Sequence, residues 1–196
     1  AAKISVLEST KNPLETFRIN VEGTKNVLSS CNKNNVKKII VTSSAAVYGE
    51  INSSKEKLTE NSKTIPISPY GESKLKMEKV IEEFCNQYNI NYSILRFFNI
   101  YGPNQSDEYA GVITKFLDKI TNNDELEIFG DGLQTRDFVA IHDVIDAIHN
   151  SMSVNKNGIY NIASGKAVSI KELAKLMISI YKKNLKIKYS QAKKED

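Results

Sequence analysis

The sequence predicts an α/β fold built on a parallel sheet, and two patterns predict it. Apolar runs that do not alternate, such as Ile39-Ile40-Val41, mark strands covered on both faces. Such runs take turns, from end to end, with stretches whose apolar residues recur at three- and four-residue spacing, the mark of amphipathic helices. No internal repeat or low-complexity linker divides the 196 residues, a length that fits one full domain or a piece of a larger two-domain protein.

The first helix is expected over 12–34, with Asn12 as cap, Pro13 in its first turn and Phe17, Val21, Thr24, Leu28 and Cys31 on one face. Asn32 to Asn35 end it, and Lys37 to Ser43 follow as a buried strand. The polar connection from Glu50 to Ile67 is longer than routine loops, which predicts that it lines a site. Ser68 caps a second helix with Pro69 at its first position, and Tyr70, Lys74, Met77, Ile81, Phe84, Cys85 and Tyr88 form its stripe. Tyr92 to Phe98 reads as another buried strand, and Gly102-Pro103 stops regular structure over Asn99 to Pro103. A helix over Val112 to Thr121, a strand over Leu126 to Phe129, a turn at Gly130-Asp131-Gly132 and an extended segment over Arg136 to Ala140 come next. Asp143 to Met152 reads as helix and Gly158 to Ala163 as strand. Ser169 with Glu172 forms a capping box opening a helix to about Lys182, and Leu185 to Tyr189 alternates as an exposed strand.

Composition narrows the function. A formal charge of +4 and a pI near 8.9 come from lysines spread along every segment among Asp and Glu, without the basic, aromatic-laced stripe of a nucleic-acid binder. No apolar run reaches the ~20 residues of a membrane span, and the start carries no signal-peptide pattern, so a cytoplasmic protein is expected. Cys31 and Cys85 lack metal-ligand spacing and fit reduced thiols. His142 and His149 have no third ligand in range and read as packing or surface residues rather than a metal site.

The chemistry starts at Ser68-Pro69-Tyr70-Gly71-Glu72-Ser73-Lys74. Tyrosine and lysine four apart share a helix face, and an ammonium beside a phenol favours the phenolate, making the tyrosine an acid/base. Ser43 and Ser44 end one strand and Asn99 follows the end of the next, so hydroxyl, phenol and ammonium converge on the carboxyl edge of a parallel sheet, where such folds bind ligands. That set can hold a sugar hydroxyl and remove its proton. Making a ketone also requires loss of a hydride, which no side chain accepts, so a nicotinamide is implied.

The chain resembles the extended short-chain dehydrogenase/reductase family, in particular its nucleotide-sugar epimerases and dehydratases. The likeness runs through Asn12-Pro13-Leu14, Asn20-Val21-Glu22-Gly23-Thr24, Ser43 to Gly49, Ser68 to Lys74, Leu95 to Pro103, Arg136-Asp137-Phe138-Val139 and Asp143-Val144, in that order. It implies a partial Rossmann doubly wound parallel sheet with a smaller substrate-binding α/β region. Residues 1–103 would be the later part of the NAD-binding domain, and 104–196 a nucleotide-sugar-binding region in which about 141–163 packs back on the Rossmann sheet. By the resemblance Ser44, Tyr70 and Lys74 are catalytic: Tyr70 is the acid/base, Lys74 lowers its pKa and holds the nicotinamide ribose, and Ser44 bonds the reacting sugar oxygen. Asn20, Ser43, Phe97 and Phe98 would serve the NAD side, with Asn20 supporting the lysine and a water network; the plain alternative for Asn20 is a helix-surface position. Asn99 would touch substrate phosphate, Arg136 would clamp the diphosphate with its planar fork, and Glu127 and Phe129 would hold the base. Edge-strand packing remains open for Glu127 and Phe129, and a surface ion pair for Arg136.

Where the dehydratases of the family carry an Asp-Glu pair after the serine, this chain has Ala45-Ala46, which favours a 4-epimerase acting on a UDP-sugar such as UDP-glucose or UDP-galactose. Dehydration, decarboxylation or keto-sugar reduction share the cited residues, and a non-catalytic sugar-nucleotide-binding module or inactive fragment is the rival of another class. The family's G-x-x-G-x-x-G phosphate loop and its acidic ribose residue are absent, so two βαβ units of about 30 residues each are expected to precede Ala1, and more chain to follow Asp196. Family likeness also implies a homodimer through helices 12–34 and 68–88.

Overall fold

A computed structural model of the chain describes residues 2–50, 57–105 and 111–191. The connection predicted to line a site lies partly outside them, at 51–56. The chain divides into two compact units, Ala1–Phe98 with His142–Ile162 and Asn99–Ile141 with Ala163–Asp196. The first boundary falls at Phe98 rather than Pro103, because Asn99 to Tyr101 is not a stop signal but a short strand paired within the second unit. Among the described residues no helix is long and apolar enough to cross a membrane.

The first unit opens with α1 (Val6–Lys11), which the sequence did not signal, capped by the Ser5 hydroxyl on the Glu8 N–H. The predicted helix 12–34 is α2 (Pro13–Phe17), a π-helical segment Arg18–Glu22 and α3 (Gly23–Lys33) in continuous succession. Asn12 does not cap with its side chain; at φ −130° and ψ 62° it joins α1 to α2, and its carbonyl accepts from Thr16 instead. Strand β1 (Lys38–Ser44) pairs in parallel with β2 (Asn91–Phe97), which pairs in parallel with β6 (Gly158–Ile162). Central β2 is buried from Tyr92 to Arg96, whereas β1, paired among the described residues only with β2, is half-buried along Ile39-Ile40-Val41. Helix α4 (Pro69–Tyr88) lies against this sheet and against α1, α2 and α3. Leu28, Met77, Ile81, Cys85, Ile90, Tyr92 and Ile94 make the core between them. Tyr88 leaves the predicted stripe: it is 43% exposed and rests its ring 4.5 Å from that of Phe84. Helix α6 (Ile141–Ser153) precedes β6, and both His142 and His149 are exposed on it.

The second unit has its own core. Phe116 and Ile120 of α5 (Val112–Thr121), Leu126 and Ile128 of β4 (Leu126–Phe129), and Ile170, Leu173, Ala174 and Met177 of α7 (Ile170–Ile180) are buried together. The capping box is complete: the Ser169 hydroxyl accepts from the Glu172 N–H and the Glu172 carboxylate accepts from the Ser169 N–H. β3 (Asn99–Tyr101) pairs in parallel with β5 (Thr135–Ala140), which pairs antiparallel with β7 (Ala167–Ser169); β8 (Ile187–Ser190) runs parallel to β4. Leu185 and Ile187 pack against this core, whereas Tyr189, the third residue of the expected alternation, is 46% exposed.

Ile81 is fully buried between α3, α4 and the sheet, so Ile81→Ala leaves a cavity. It lowers stability by roughly 2–5 kcal/mol, read as a drop in the urea midpoint at unchanged slope.

Candidate active site

The start of α4 is where the first unit brings reactive groups together. A helix leaves its first N–H groups without intrahelical partners, and here every one is accounted for. Pro69 has none, Tyr70 donates to the Ser9 hydroxyl (3.1 Å), Gly71 to the Ser68 hydroxyl (3.1 Å) and Glu72 to the Ser68 carbonyl (2.9 Å). Ser9 is fully buried on α1, so the helix that the sequence did not signal supplies a cap for the site. A side chain at Gly71 would place its Cβ 2.5 Å from the Ala46 carbonyl oxygen; its absence lets α4 close on the short 3-10 turn Ala45–Val47. Ser44 stands before that turn in an extended conformation, its hydroxyl accepting from the Ala46 N–H at 3.2 Å.

Burial pushes the Tyr70 phenol pKa above its ordinary value, and the nearby Ser44 hydroxyl works against that rise. Lys74 is 4% exposed, and its amine donates to the Thr42 carbonyl at 2.9 Å. Burial lowers its pKa to about 8, with Glu78 one turn further along pulling the other way. The sequence expectation was that Lys74 depresses the Tyr70 pKa. In the structure the phenol is raised instead, because desolvation dominates and the amine is turned to Thr42.

Two residues expected on the cofactor side face elsewhere. Ser43, 4% exposed, donates its hydroxyl to Glu78 Oε1 at 2.5 Å, since successive strand residues point to opposite sides and Ser44 takes the other. Asn20 is 1% exposed, which removes the helix-surface alternative. Its carboxamide accepts from the Lys3 N–H (2.8 Å) and donates to the Lys3 carbonyl (3.0 Å) and the Ser73 hydroxyl (2.9 Å), so it reaches Tyr70 only through Ser73, which donates to the Tyr70 carbonyl. Phe97 and Phe98 are partly buried at the end of β2, with the Phe98 ring 6.4 Å from that of Tyr48.

The expected substrate residues belong to the second unit. Asn99 is exposed and donates its amide to the Asp137 carbonyl at 3.1 Å. Arg136 is exposed on β5, donates to the Thr135 carbonyl at 3.0 Å and makes no ion pair among the described residues. Glu127 is exposed on β4 and accepts from the Ser190 hydroxyl at 2.5 Å; Phe129 ends the same strand partly buried.

Sequence reasoning passed over the residues beneath the site. Glu78 and Arg96 form a bidentate ion pair, Nε to Oε1 at 3.0 Å and Nη2 to Oε2 at 2.7 Å, with side chains 1% and 4% exposed. The signal was available: Glu78 follows Lys74 by four on one helix face, where a lone carboxylate among apolar neighbours needs a partner. Among the described residues no group of three or more His, Cys, Asp or Glu could hold a metal ion, and both cysteines are free, Cys85 with its thiol pushed up to about 11 by burial. Among the described residues Lys74 keeps two N–H donors beyond the one given to Thr42, and a buried amine with free donors suits the paired hydroxyls of a nicotinamide ribose.

Comparison with known proteins finds relatives over most of the chain. A putative UDP-glucose 4-epimerase of Methanocaldococcus jannaschii is 46% identical over 176 residues, covering 88% of this chain and 56% of the relative. A dTDP-D-glucose 4,6-dehydratase of Homo sapiens is 35% identical over 183 residues, covering 93% of this chain and 51% of the relative. The chain thus spans about half the length of these relatives. Among solved structures, a UDP-N-acetylglucosamine 4-epimerase from Methanobrevibacter ruminantium M1, in complex with UDP-N-acetylmuramic acid, superposes with a TM-score of 0.94 at 34% identity over 100% of this chain and 63% of that one. Residues 1–163 match the family described as the NAD dependent epimerase/dehydratase family, and the chain belongs to it.

Proposed function

We propose that the protein at its full natural length is an NAD-dependent epimerase of a nucleotide sugar, acting at the 4-hydroxyl of a UDP-sugar. The observation that carries this reading is the grouping of three residues at one strand end: Tyr70 near the start of α4, the Ser44 hydroxyl close enough to oppose the rise of its phenol pKa, and the buried Lys74 amine one helical turn on. Bound NAD supplies the hydride acceptor and donor that no side chain can be. Ser44 holds the sugar oxygen, and Tyr70 takes the proton from it and later returns one. The Lys74 amine, with a pKa of about 8, is roughly nine-tenths protonated at pH 7 and so offers positive charge to the ribose and the phenol.

Ala45 and Ala46 separate this reading from dehydration. Elimination of water needs an acid and a base beside the sugar, and the turn that follows Ser44 carries two methyl groups there. Epimerisation asks only for one proton shuttle and a pocket in which the keto-sugar can turn over. Asn99, Arg136, Glu127 and Phe129 are proposed for the nucleotide, with the exposed Arg136 guanidinium the group suited to a diphosphate. A homodimer through helices 12–34 and 68–88 and a cytoplasmic location belong to the same reading; Val27, 58% exposed on α3, is an apolar residue that such a contact would cover.

In the complete protein with NAD, UDP-glucose and UDP-galactose, or their N-acetyl or uronic forms, interconvert. Tyr70→Phe lowers turnover by about 10²–10⁴-fold while UDP-sugar affinity holds. Absence of interconversion for all three sugar pairs overturns the epimerase reading, and equal sugar-nucleotide binding without turnover in both proteins identifies a binding module.

Lys74 predicts a cost in stability. Its pKa in the folded state, about 8, lies below the ordinary 10.5, so the buried charge penalises the fold at pH 7. Between those values the unfolded chain holds a proton that the folded chain lacks, and stability rises with pH across that window. Lys74→Met is therefore more stable than the parent at pH 7 by roughly 1–3 kcal/mol, with the gap closing toward pH 10.5, and it is inactive. Chemical denaturation at several pH values checks this; a variant weaker at pH 7 contradicts it. For the dimer, sedimentation should show the parent as a dimer and Val27→Arg shifted to monomer, and a monomeric parent at micromolar concentration removes that part of the proposal.

A further inference from the structure

The geometry points to Glu78 as a positioning residue for Ser44, Tyr70 and Lys74, an inference that rests on the catalytic reading above. Its carboxylate binds three elements at one point. Glu78 sits on α4 one turn beyond Lys74, Oε1 accepts from Ser43 at the end of β1 and from Arg96 Nε on β2, and Oε2 accepts from Arg96 Nη2. Ser43 immediately precedes Ser44, so the bond fixes the strand end bearing one reactive hydroxyl to the helix bearing the phenol and amine. The network continues across the sheet. Arg96 Nη1 donates to the Tyr48 hydroxyl at 2.8 Å with the guanidinium 4.9 Å from that ring, and Tyr48 donates to Asn161 Oδ1 on β6 at 2.7 Å.

Stability alone does not explain such a pair. A buried ion pair roughly breaks even against well-packed apolar residues, while loss of one partner leaves an uncompensated charge. What apolar packing cannot reproduce is a directional tie among three elements and a negative charge set one turn from a buried amine. Glu78, one turn on along α4, is the charged group that acts on the Lys74 amine, and it opposes the effect of burial there. Glu78 is itself paired with Arg96 on β2, whose Nη1 reaches Tyr48 after β1. With Glu78 gone the amine sheds its proton at lower pH.

Two variants test this in the protein at its full natural length, each also built with Lys74→Met. In the cofactor-free protein, the lysine ε-carbon resonance lost on Lys74→Met reports the Lys74 titration. In Glu78→Gln its midpoint moves downward by about one pH unit. The double variant Glu78→Met with Arg96→Met replaces the pair by apolar groups; its melting temperature returns to that of the parent, but kcat stays down by about tenfold or more while KM changes less. An unmoved Lys74 titration in Glu78→Gln, or parental kcat in the double variant, overturns the proposal. If Glu78→Gln does not fold, the double variant decides. If the parent shows no turnover, the epimerase reading falls by itself, and the titration still decides whether Glu78 acts on Lys74.

Discussion

A carboxylate and a guanidinium, buried together beneath the ends of three parallel strands, hold the reactive helix against its sheet. Taking either ion out of water costs several kcal/mol, about what only good geometry can offset. Here Arg96 meets both oxygens of Glu78 in a fork, and Ser43 fills a further acceptor position. A slide of α4 by one turn would strand a charge in the interior, so the pair sets the helix register more sharply than apolar packing would. The close approach of Gly71 to Ala46 and the Ser9 cap on the Tyr70 N–H depend on that register. They bring the phenol to Ser44.

Burial at the site pushes both titratable groups toward neutrality, the Tyr70 phenol upward and the Lys74 amine down to about 8. A phenol hard to ionise beside an amine easy to discharge is poor as a standing acid/base pair in the free protein. It is well suited to a site whose proton moves only when further positive charge or a reacting hydroxyl arrives, because the same dry surroundings that raise the phenol strengthen any new interaction. The stability given up by burying Lys74 is of the kind found at reactive centres.

Elements set by local chemistry were readable in the sequence. Ser68 and Pro69 start α4, Ser169 and Glu172 start α7, and the run from Val112 to Thr121 is helical at both predicted ends. What escaped was set by partners distant in the chain. β3 and β7 are three residues each and exist because β5 lies between them, and no periodicity shows in so few residues. Within 12–34 the apolar stripe was right, but the π-helical segment at Arg18–Glu22 was invisible to a pattern that assumes even turns. At the site, Ser44, Tyr70 and Lys74 came from spacing and resemblance. The roles of Ser43 and Asn20 turned on which way each side chain faces, and in both cases the partner is on α4, far from it in sequence.

The neighbouring hydroxyls Ser43 and Ser44 show how one strand end can serve structure and chemistry at once. Alternation in a strand sends adjacent side chains to opposite sides, so one hydroxyl is available to the interior and the other to the phenol. Ser43 turns in and closes on a carboxylate; Ser44 turns the other way and works against the rise of the Tyr70 phenol pKa. The 3-10 turn that follows directs its Ala46 N–H to the Ser44 oxygen, which leaves that hydroxyl's own proton to be given elsewhere. A longer side chain at 45 or 46 would add a group of its own beside this hydroxyl. The two alanines of that turn add no acid or base of their own beside the Ser44 hydroxyl.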